Sequence, residues 1–211
     1  MNNELTFRPT PLKKCLLGIT IPQTQEAFYR DLRPDSPKDF AKSFSKKLSG
    51  CNENFIWNKY ESDIVKLVKK VQSEVQKLGV TVILDFSLNH LKHLENYDVV
   101  TIIGHWISHC EKIELADGIY STNEFIDVIP TNAGCMLDLT VCNSTILADE
   151  IKKHFRKIIV FGFEAPISIE TNLLIYKYII QVMYNDEKLN YLDAFSLVKT
   201  QIINNTKNLF L

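Results

Sequence analysis

The sequence predicts an α/β fold in which helices cover both faces of a largely parallel central sheet. Short apolar runs rich in β-branched residues alternate with longer amphipathic segments, the order typical of strand–helix–strand units. The runs are apolar almost throughout, as expected of parallel strands buried on both faces. With 211 residues, of which 45% are hydrophobic, the chain can bury one full core. We therefore expect a single domain over residues 12–211, preceded by a loosely attached polar tail over residues 1–11.

The predicted strands are apolar runs bounded by turn residues. They cover residues 12–21, 80–86, 99–103, 135–141 and 157–163. Between the third and fourth runs, residues 112–118 predict a short hairpin arm, because Asp117-Gly118 favours a type I′ turn.

The amphipathic segments predict the helices. They cover residues 23–32, 56–78, 88–94, 121–129, 144–155, 168–183 and 192–203, with one more that begins at Ser36-Pro37 and ends before Gly50. The segment 56–78 is the longest, and Gly79 follows it where a helix-ending glycine is expected. Ser121 and Glu124 have the spacing of a capping box.

Composition and charge exclude several classes of function. The formal net charge is −1 and no basic stripe appears, so we expect no nucleic-acid partner. No signal-peptide pattern opens the chain and no apolar run approaches the ~20 residues that span a bilayer, so we expect no membrane association. The five cysteines are odd in number and follow no disulfide framework, which is typical of a reducing compartment. We therefore expect a cytoplasmic protein without a cofactor.

Two reactive side chains follow neighbouring predicted strands. His105 comes after the run 99–103 and Cys142 after the run 135–141. Because adjacent parallel strands end at the same edge of a sheet, the two side chains are expected to face each other. A thiol becomes a nucleophile when a histidine within hydrogen-bond reach takes its proton. The predicted helix after Cys142 would stabilise a thiolate and an oxyanion through its free amides, and Gly104 would let the chain turn sharply before His105.

A metal site is the competing use of these residues. His105, His109 and Cys110 lie close in sequence, and Cys142 could join them. The chain nevertheless contains no Cys-x-x-Cys pair and no His-Glu-x-x-His helix. We therefore expect no metal.

Several segments resemble the caspase-like (clan CD) cysteine peptidases, most closely the CHAT branch of that clan. The resemblance covers roughly residues 80–205. It is carried by Val-Val-Thr-Ile-Ile-Gly-His at 99–105, Leu-Ala-Asp-Gly at 115–118, Leu-Asp-Leu-Thr-Val-Cys-Asn-Ser at 137–144, the strand at 158–162, Ala-Pro at 165–166, the helix at 173–183 and Leu-Asp-Ala-Phe at 192–195.

The resemblance implies a caspase-like three-layer sandwich that cleaves a specific protein partner with a His–Cys dyad. His105 would be the base and acid, Cys142 the nucleophile, and the backbone amides of Trp106 and Cys142 the oxyanion hole. Thr140, Asp138 and Glu164 would line the substrate pocket, which favours a basic or neutral side chain before the scissile bond.

Many members of the clan are switched on by partner binding or by cleavage, so the resemblance also implies regulation, which we expect to come from a protein partner. A catalytically silent module that binds proteins is the alternative function. It is suggested by Trp106, which stands where the pattern usually has a small residue.

Overall fold

The computed structural model describes residues 10–108, 110–141, 143–162 and 168–208, with side chains up to residue 201. Its strands are β1 Cys15–Ile19, β2 Thr81–Ile83, β3 Val99–Ile103, β4 His105–Ile107, β5 Lys112–Glu114, β6 Ile119–Ser121, β7 Met136–Thr140 and β8 Ile159–Phe161. Its α-helices are α1 Gln25–Leu32, α2 Phe40–Lys46, α3 Glu53–Tyr60, α4 Lys66–Lys77, α5 Thr122–Asp127, α6 Thr145–His154, α7 Ile169–Asn185 and α8 Tyr191–Asn208. Two 3₁₀ helices, Leu12–Lys14 and Leu88–Asn96, and a π-helical turn, Glu61–Val65, complete the elements of the described residues.

The central sheet is parallel and has the order β2-β1-β3-β7-β8. All five predicted strands are present in it, and β3 has the predicted bounds. The predicted parallel α/β fold is therefore confirmed.

Alternate residues of each strand point into two cores, one on each face of the sheet. On β1, Cys15, Leu17 and Ile19 pack against helices α1, α3, α4, α7 and α8, whereas Leu16 packs into the opposite core. The opposite core is closed by the 3₁₀ helix Leu88–Asn96 and by α5 and α6. The sheet is thus the middle of three layers, as predicted.

Several helix ends follow their predicted capping residues. The Ser121 hydroxyl accepts a hydrogen bond from the Glu124 amide while the Glu124 carboxylate accepts from Ser121, so the predicted capping box is confirmed. Gly79 has φ +103°, the left-handed conformation that ends α4. The predicted helix 56–78 begins earlier, at Glu53, and the π-helical turn divides it into α3 and α4.

The start of α2 differs from the prediction. The helix begins at Phe40, not at Ser36-Pro37. A contact distant in sequence accounts for this, because the Glu114 carboxylate accepts hydrogen bonds from the backbone amides of Asp39 (2.8 Å) and Phe40 (3.0 Å). These amides are among those that a helix start leaves without an internal partner.

The predicted hairpin arm is a three-stranded antiparallel sheet, β4-β5-β6, inserted between β3 and β7. Its connection at residues 115–118 contains no residue in the left-handed region. The predicted type I′ turn, which requires positive φ at both central residues, is therefore wrong.

Residues 1–9 of the predicted tail lie outside the described residues. Residues 12–14, predicted as the start of the first strand, form a 3₁₀ helix, so β1 begins later than predicted, at Cys15. Among the described helices, none combines the length and the apolar character needed to cross a membrane.

Candidate active site

The ends of β3 and β7 form the framework of the candidate site. The two strands are parallel neighbours, and their last paired residues are Ile103 and Thr140. His105 lies two positions after Ile103 in the chain, and Cys142 lies two positions after Thr140. Cys142 itself falls outside the described residues. Because Ile103 and Thr140 are paired, the chain segments that follow β3 and β7 both begin at the same edge of the sheet.

A hydrogen bond joins the segments that follow the two strands. The Asn143 side chain donates from Nδ2 to the Ser108 hydroxyl at 3.3 Å, so the residue after Cys142 contacts the residue after β4. Asn143 has φ +54°, a conformation that asparagine tolerates better than most residues. Ser144 donates to the Leu139 carbonyl at 3.0 Å, and α6 begins directly afterwards. The chain therefore turns tightly between β7 and α6.

His105 lies on β4 instead of in a turn after β3. The chain leaves the central sheet after Ile103 and enters the antiparallel sheet at His105, and Gly104 between them has no positive φ. The glycine is required by close approach, because a Cβ at residue 104 would overlap the Thr20 hydroxyl. The His105 side chain is 21% exposed and lies edge-on to the Phe40 ring, with 5.7 Å between ring centres. The imidazole is thus partly packed against Phe40 and partly accessible.

Two carboxylates surround the imidazole. His105 Nε2 lies 3.3 Å from Asp39 Oδ2, and Glu114 is the register partner of His105 on β5. Partial burial would raise the pKa of Asp39, but hydrogen bonds from Ser43 and His105 outweigh it and lower that pKa. Burial raises the pKa of Glu114, although the amides of Asp39 and Phe40 oppose the effect.

The sequence did not identify Asp39 or Glu114 as site residues. Asp39 is separated from His105 by 66 positions, and no local pattern connects them. Glu114 belongs to the arm, where a carboxylate at a strand end is usually solvated, yet it is 1% exposed. One signal was available in the sequence: Glu114 stands between two apolar residues, Ile113 and Leu115. Both of these neighbours are fully buried in the structure.

Trp106, the predicted source of one oxyanion-hole amide, directs its side chain into the second core. The residue is 3% exposed and clusters with apolar side chains such as Ile113 and Phe125. Its indole therefore fills the interior beneath the arm. The partner amide of the predicted oxyanion hole belongs to Cys142, which lies outside the described residues.

Thr140 and Asp138, two predicted pocket residues, lie in the interior. The Thr140 hydroxyl donates to Asp138 at 3.0 Å, and the Tyr191 hydroxyl of α8 donates to the other carboxylate oxygen at 2.6 Å. Tyr191 also contacts the Thr101 hydroxyl at 3.1 Å. Asp138 and Thr140 are 4% and 6% exposed, so the network joins β7 to α8. Glu164, the third predicted pocket residue, lies outside the described residues.

A cavity of about 490 Å³ opens beside His105. Its apolar wall comes from α2 and the turn after it, the π-helical turn and the start of α7, through Phe40, Phe44, Leu48, Ile64 and Ile169. Charged side chains lie among the other lining residues, including Lys47, Lys59, Asp63 and Glu170. An apolar wall with a few polar groups is typical of a pocket that binds a ligand.

The described residues contain no group of three or more histidine, cysteine, aspartate or glutamate side chains arranged to hold a metal ion. His109 and Cys142, two members of the alternative zinc set, lie outside them. Cys110 is exposed and its thiol lies 3.6 Å from the Ile107 carbonyl.

A scan against protein-family models finds no match to this chain, and no curated protein matches it at a significant level.

Proposed function

We propose that this protein is a cysteine endopeptidase of the caspase-like type, with Cys142 as nucleophile and His105 as general base and acid. The observation that carries the proposal is the register of β3 and β7. Ile103 is paired with Thr140, and each proposed catalytic residue follows its strand by two positions. The Asn143–Ser108 hydrogen bond adds support, because it joins the segments next to the two residues.

The proposed reaction is acyl transfer in two steps. His105 takes the thiol proton, and the sulfur attacks the carbonyl carbon of the scissile peptide bond. As the tetrahedral intermediate collapses, the C–N bond breaks and His105 returns the proton to the leaving amine. Water then attacks the thioester with His105 as base, which releases the acid product and restores the thiol. Backbone amides, predicted to be those of Trp106 and Cys142, would stabilise the oxyanion in both steps.

The position of the Trp106 side chain favours activity over the silent alternative. A tryptophan beside the proposed base would block substrate if its ring entered the cavity. The ring instead packs with the second core, whereas the cavity beside His105 is open and large enough to hold a substrate side chain. A cytoplasmic location, a protein substrate and regulation by a protein partner stay predictions from the sequence.

Peptide acyloxymethyl ketones can test the proposal. The set contains peptides with a basic, a neutral or an acidic side chain at the position before the electrophile. These reagents alkylate a thiolate that is held next to a bound peptide. We expect a single adduct, located on Cys142 by mass spectrometry, whose rate depends on the peptide side chain. Cys142→Ala should abolish it and Cys51→Ala, at an exposed cysteine, should not. Adduct formation at Cys142 no faster than at Cys51, and independent of the peptide, would contradict the proposal.

A further inference from the structure

The contact between Asp39 and His105 determines which imidazole nitrogen is free. Asp39 Oδ2 lies 3.3 Å from His105 Nε2. An ionised carboxylate can only accept a hydrogen bond, so the hydrogen must be on Nε2. A neutral imidazole protonated on Nε2 has its lone pair on Nδ1, and this nitrogen can then accept a proton from a thiol.

Asp39 is held in place from two directions. The Ser43 hydroxyl, one turn further along α2, donates to the same carboxylate oxygen at 2.7 Å. The Asp39 backbone amide donates to Glu114 at 2.8 Å, and Glu114 is the register partner of His105 on the neighbouring strand. The arm that carries the imidazole therefore also fixes the backbone of the residue that contacts it.

We propose that Asp39 is a positioning residue for the reaction of Cys142, because it keeps hydrogen on Nε2 of His105 and leaves Nδ1 to act as the base. This inference rests on the proposed function and adds a third side chain to the dyad. When the imidazole takes the thiol proton it becomes a cation, and the adjacent Asp39 carboxylate stabilises that charge.

The charges around Asp39 agree with an ionised side chain. Burial on one side would raise the pKa of Asp39, but the hydrogen bonds from Ser43 and His105, together with the charges of His105 and Lys46, lower it. The carboxylate is thus the form that accepts the hydrogen bond at neutral pH.

The test compares the wild-type chain with Asp39→Asn in two measurements. The rate of Cys142 alkylation by iodoacetamide is followed against pH, and the tautomer of His105 is determined from long-range ¹H–¹⁵N correlation spectra. We expect Asp39→Asn to slow alkylation at neutral pH by about tenfold, as for the loss of one charge-assisted hydrogen bond. We also expect the wild-type ring to carry its hydrogen on Nε2 and the variant to lose that preference.

Matched variants separate positioning from folding. Ser43→Ala keeps the charge on Asp39 but removes one of its hydrogen bonds, so a smaller decrease is expected. Asp149→Asn changes an aspartate of α6 whose side chain is 65% exposed, and it should change neither measurement. Because the Asp39 and Phe40 amides still reach Glu114 in Asp39→Asn, α2 should stay folded, and the thermal midpoint should fall only slightly, by the stabilisation that goes with the lowered pKa of Asp39.

The outcomes distinguish the two proposals. Alkylation that depends on His105 but not on Asp39, or a His105 tautomer that is the same in wild type and Asp39→Asn, would overturn this inference alone. Alkylation of Cys142 that is unaffected by His105→Ala would overturn the proposed function as well.

Discussion

Asp138 and Asp39 both bind side chains of other residues, but in opposite surroundings. Asp138 is 4% exposed and both of its carboxylate oxygens accept hydrogen bonds, from Tyr191 and from Thr140. The Asp39 side chain is 29% exposed and contacts an imidazole that lines an open cavity. Burial raises the pKa of Asp138, whereas hydrogen bonds from Ser43 and His105 overcome burial and lower the pKa of Asp39.

The acidic residue nearest in sequence to a proposed nucleophile therefore need not contact its catalytic base. Asp138 is four positions before Cys142, and its contacts join the sheet to α8. Asp39 is distant in sequence and precedes α2, whose first residue, Phe40, packs against the His105 ring. The first network is complete and interior, and its expected role is stability. The network of Asp39 is partly open and next to the cavity, and its expected role is to position His105 for the proposed reaction.

The sharpest test of this division is the stability of Tyr191→Phe. The substitution removes the 2.6 Å hydrogen bond to Asp138 and leaves a buried carboxylate oxygen without its donor. We expect the free energy of unfolding in urea to fall by about 3 kcal/mol, as for a buried charged acceptor that loses its partner. Asp39→Asn, by contrast, should lower it by no more than about 1 kcal/mol, since the amide oxygen can still accept the hydrogen bond from Ser43. Equal losses in the two variants would break the comparison.

Gly104→Ala tests the strand end between β3 and His105. A Cβ at this position would overlap the Thr20 hydroxyl, and Thr20 is 2% exposed, so the packed threonine side chain or the backbone beside it must shift. We expect a loss of about 2 kcal/mol in the free energy of unfolding.

The double variant Gly104→Ala/Thr20→Ala serves as the control. It removes the overlapping hydroxyl, which is buried without a hydrogen-bond partner among the described residues. Most of the lost stability should return. If the double variant is as unstable as Gly104→Ala, the overlap is not the reason for glycine at this position.

The pH dependence of stability gives a smaller effect whose sign can be derived. Because burial raises the pKa of Asp138 more than its hydrogen bonds from Tyr191 and Thr140 lower it, the native protein holds this proton more tightly than the unfolded chain. The resulting stabilisation is fully present below the unfolded pKa of about 3.9 and is lost as the pH rises through the higher native pKa.

Asp138→Asn should therefore gain stability relative to wild type as the pH rises from about 4. The gain is about 1.4 kcal/mol for each unit by which the native pKa exceeds the unfolded one. Urea unfolding of wild type and Asp138→Asn from pH 4 to pH 8 measures this gain. Glu114 also has a raised pKa, but its contribution is the same in both chains and cancels in the difference between their unfolding free energies. A difference that does not change with pH would mean that Asp138 titrates alike in the native and unfolded chains.

The parallel sheet could be predicted from the sequence because its strands are continuous apolar runs. The run 99–103 is bounded by polar residues or glycine, and β3 has these bounds. The nearness of the ends of β3 and β7 followed from the same pattern, since parallel neighbours end at one edge.

Contacts distant in sequence could not be predicted in this way. The start of α2 depends on Glu114, 75 positions after Asp39, while the local sequence favours Ser36-Pro37. Strand alternation correctly places Asp138 and Thr140 on one face of β7. It does not show that α8, through Tyr191, covers that face. For the same reason the two carboxylates around His105 were missed.

The central claim is that His105 activates Cys142 at neutral pH. The most direct test is alkylation of the purified protein by an iodoacetamide probe from pH 5 to pH 10. Mass spectrometry measures the adduct at Cys142, and Cys142→Ala and His105→Ala are treated in the same way. We expect alkylation well below pH 8.5, the ordinary pKa of a thiol, with a midpoint that moves to higher pH in His105→Ala. Alkylation at Cys142 that begins only near pH 8.5 and is the same in wild type and His105→Ala would contradict this claim.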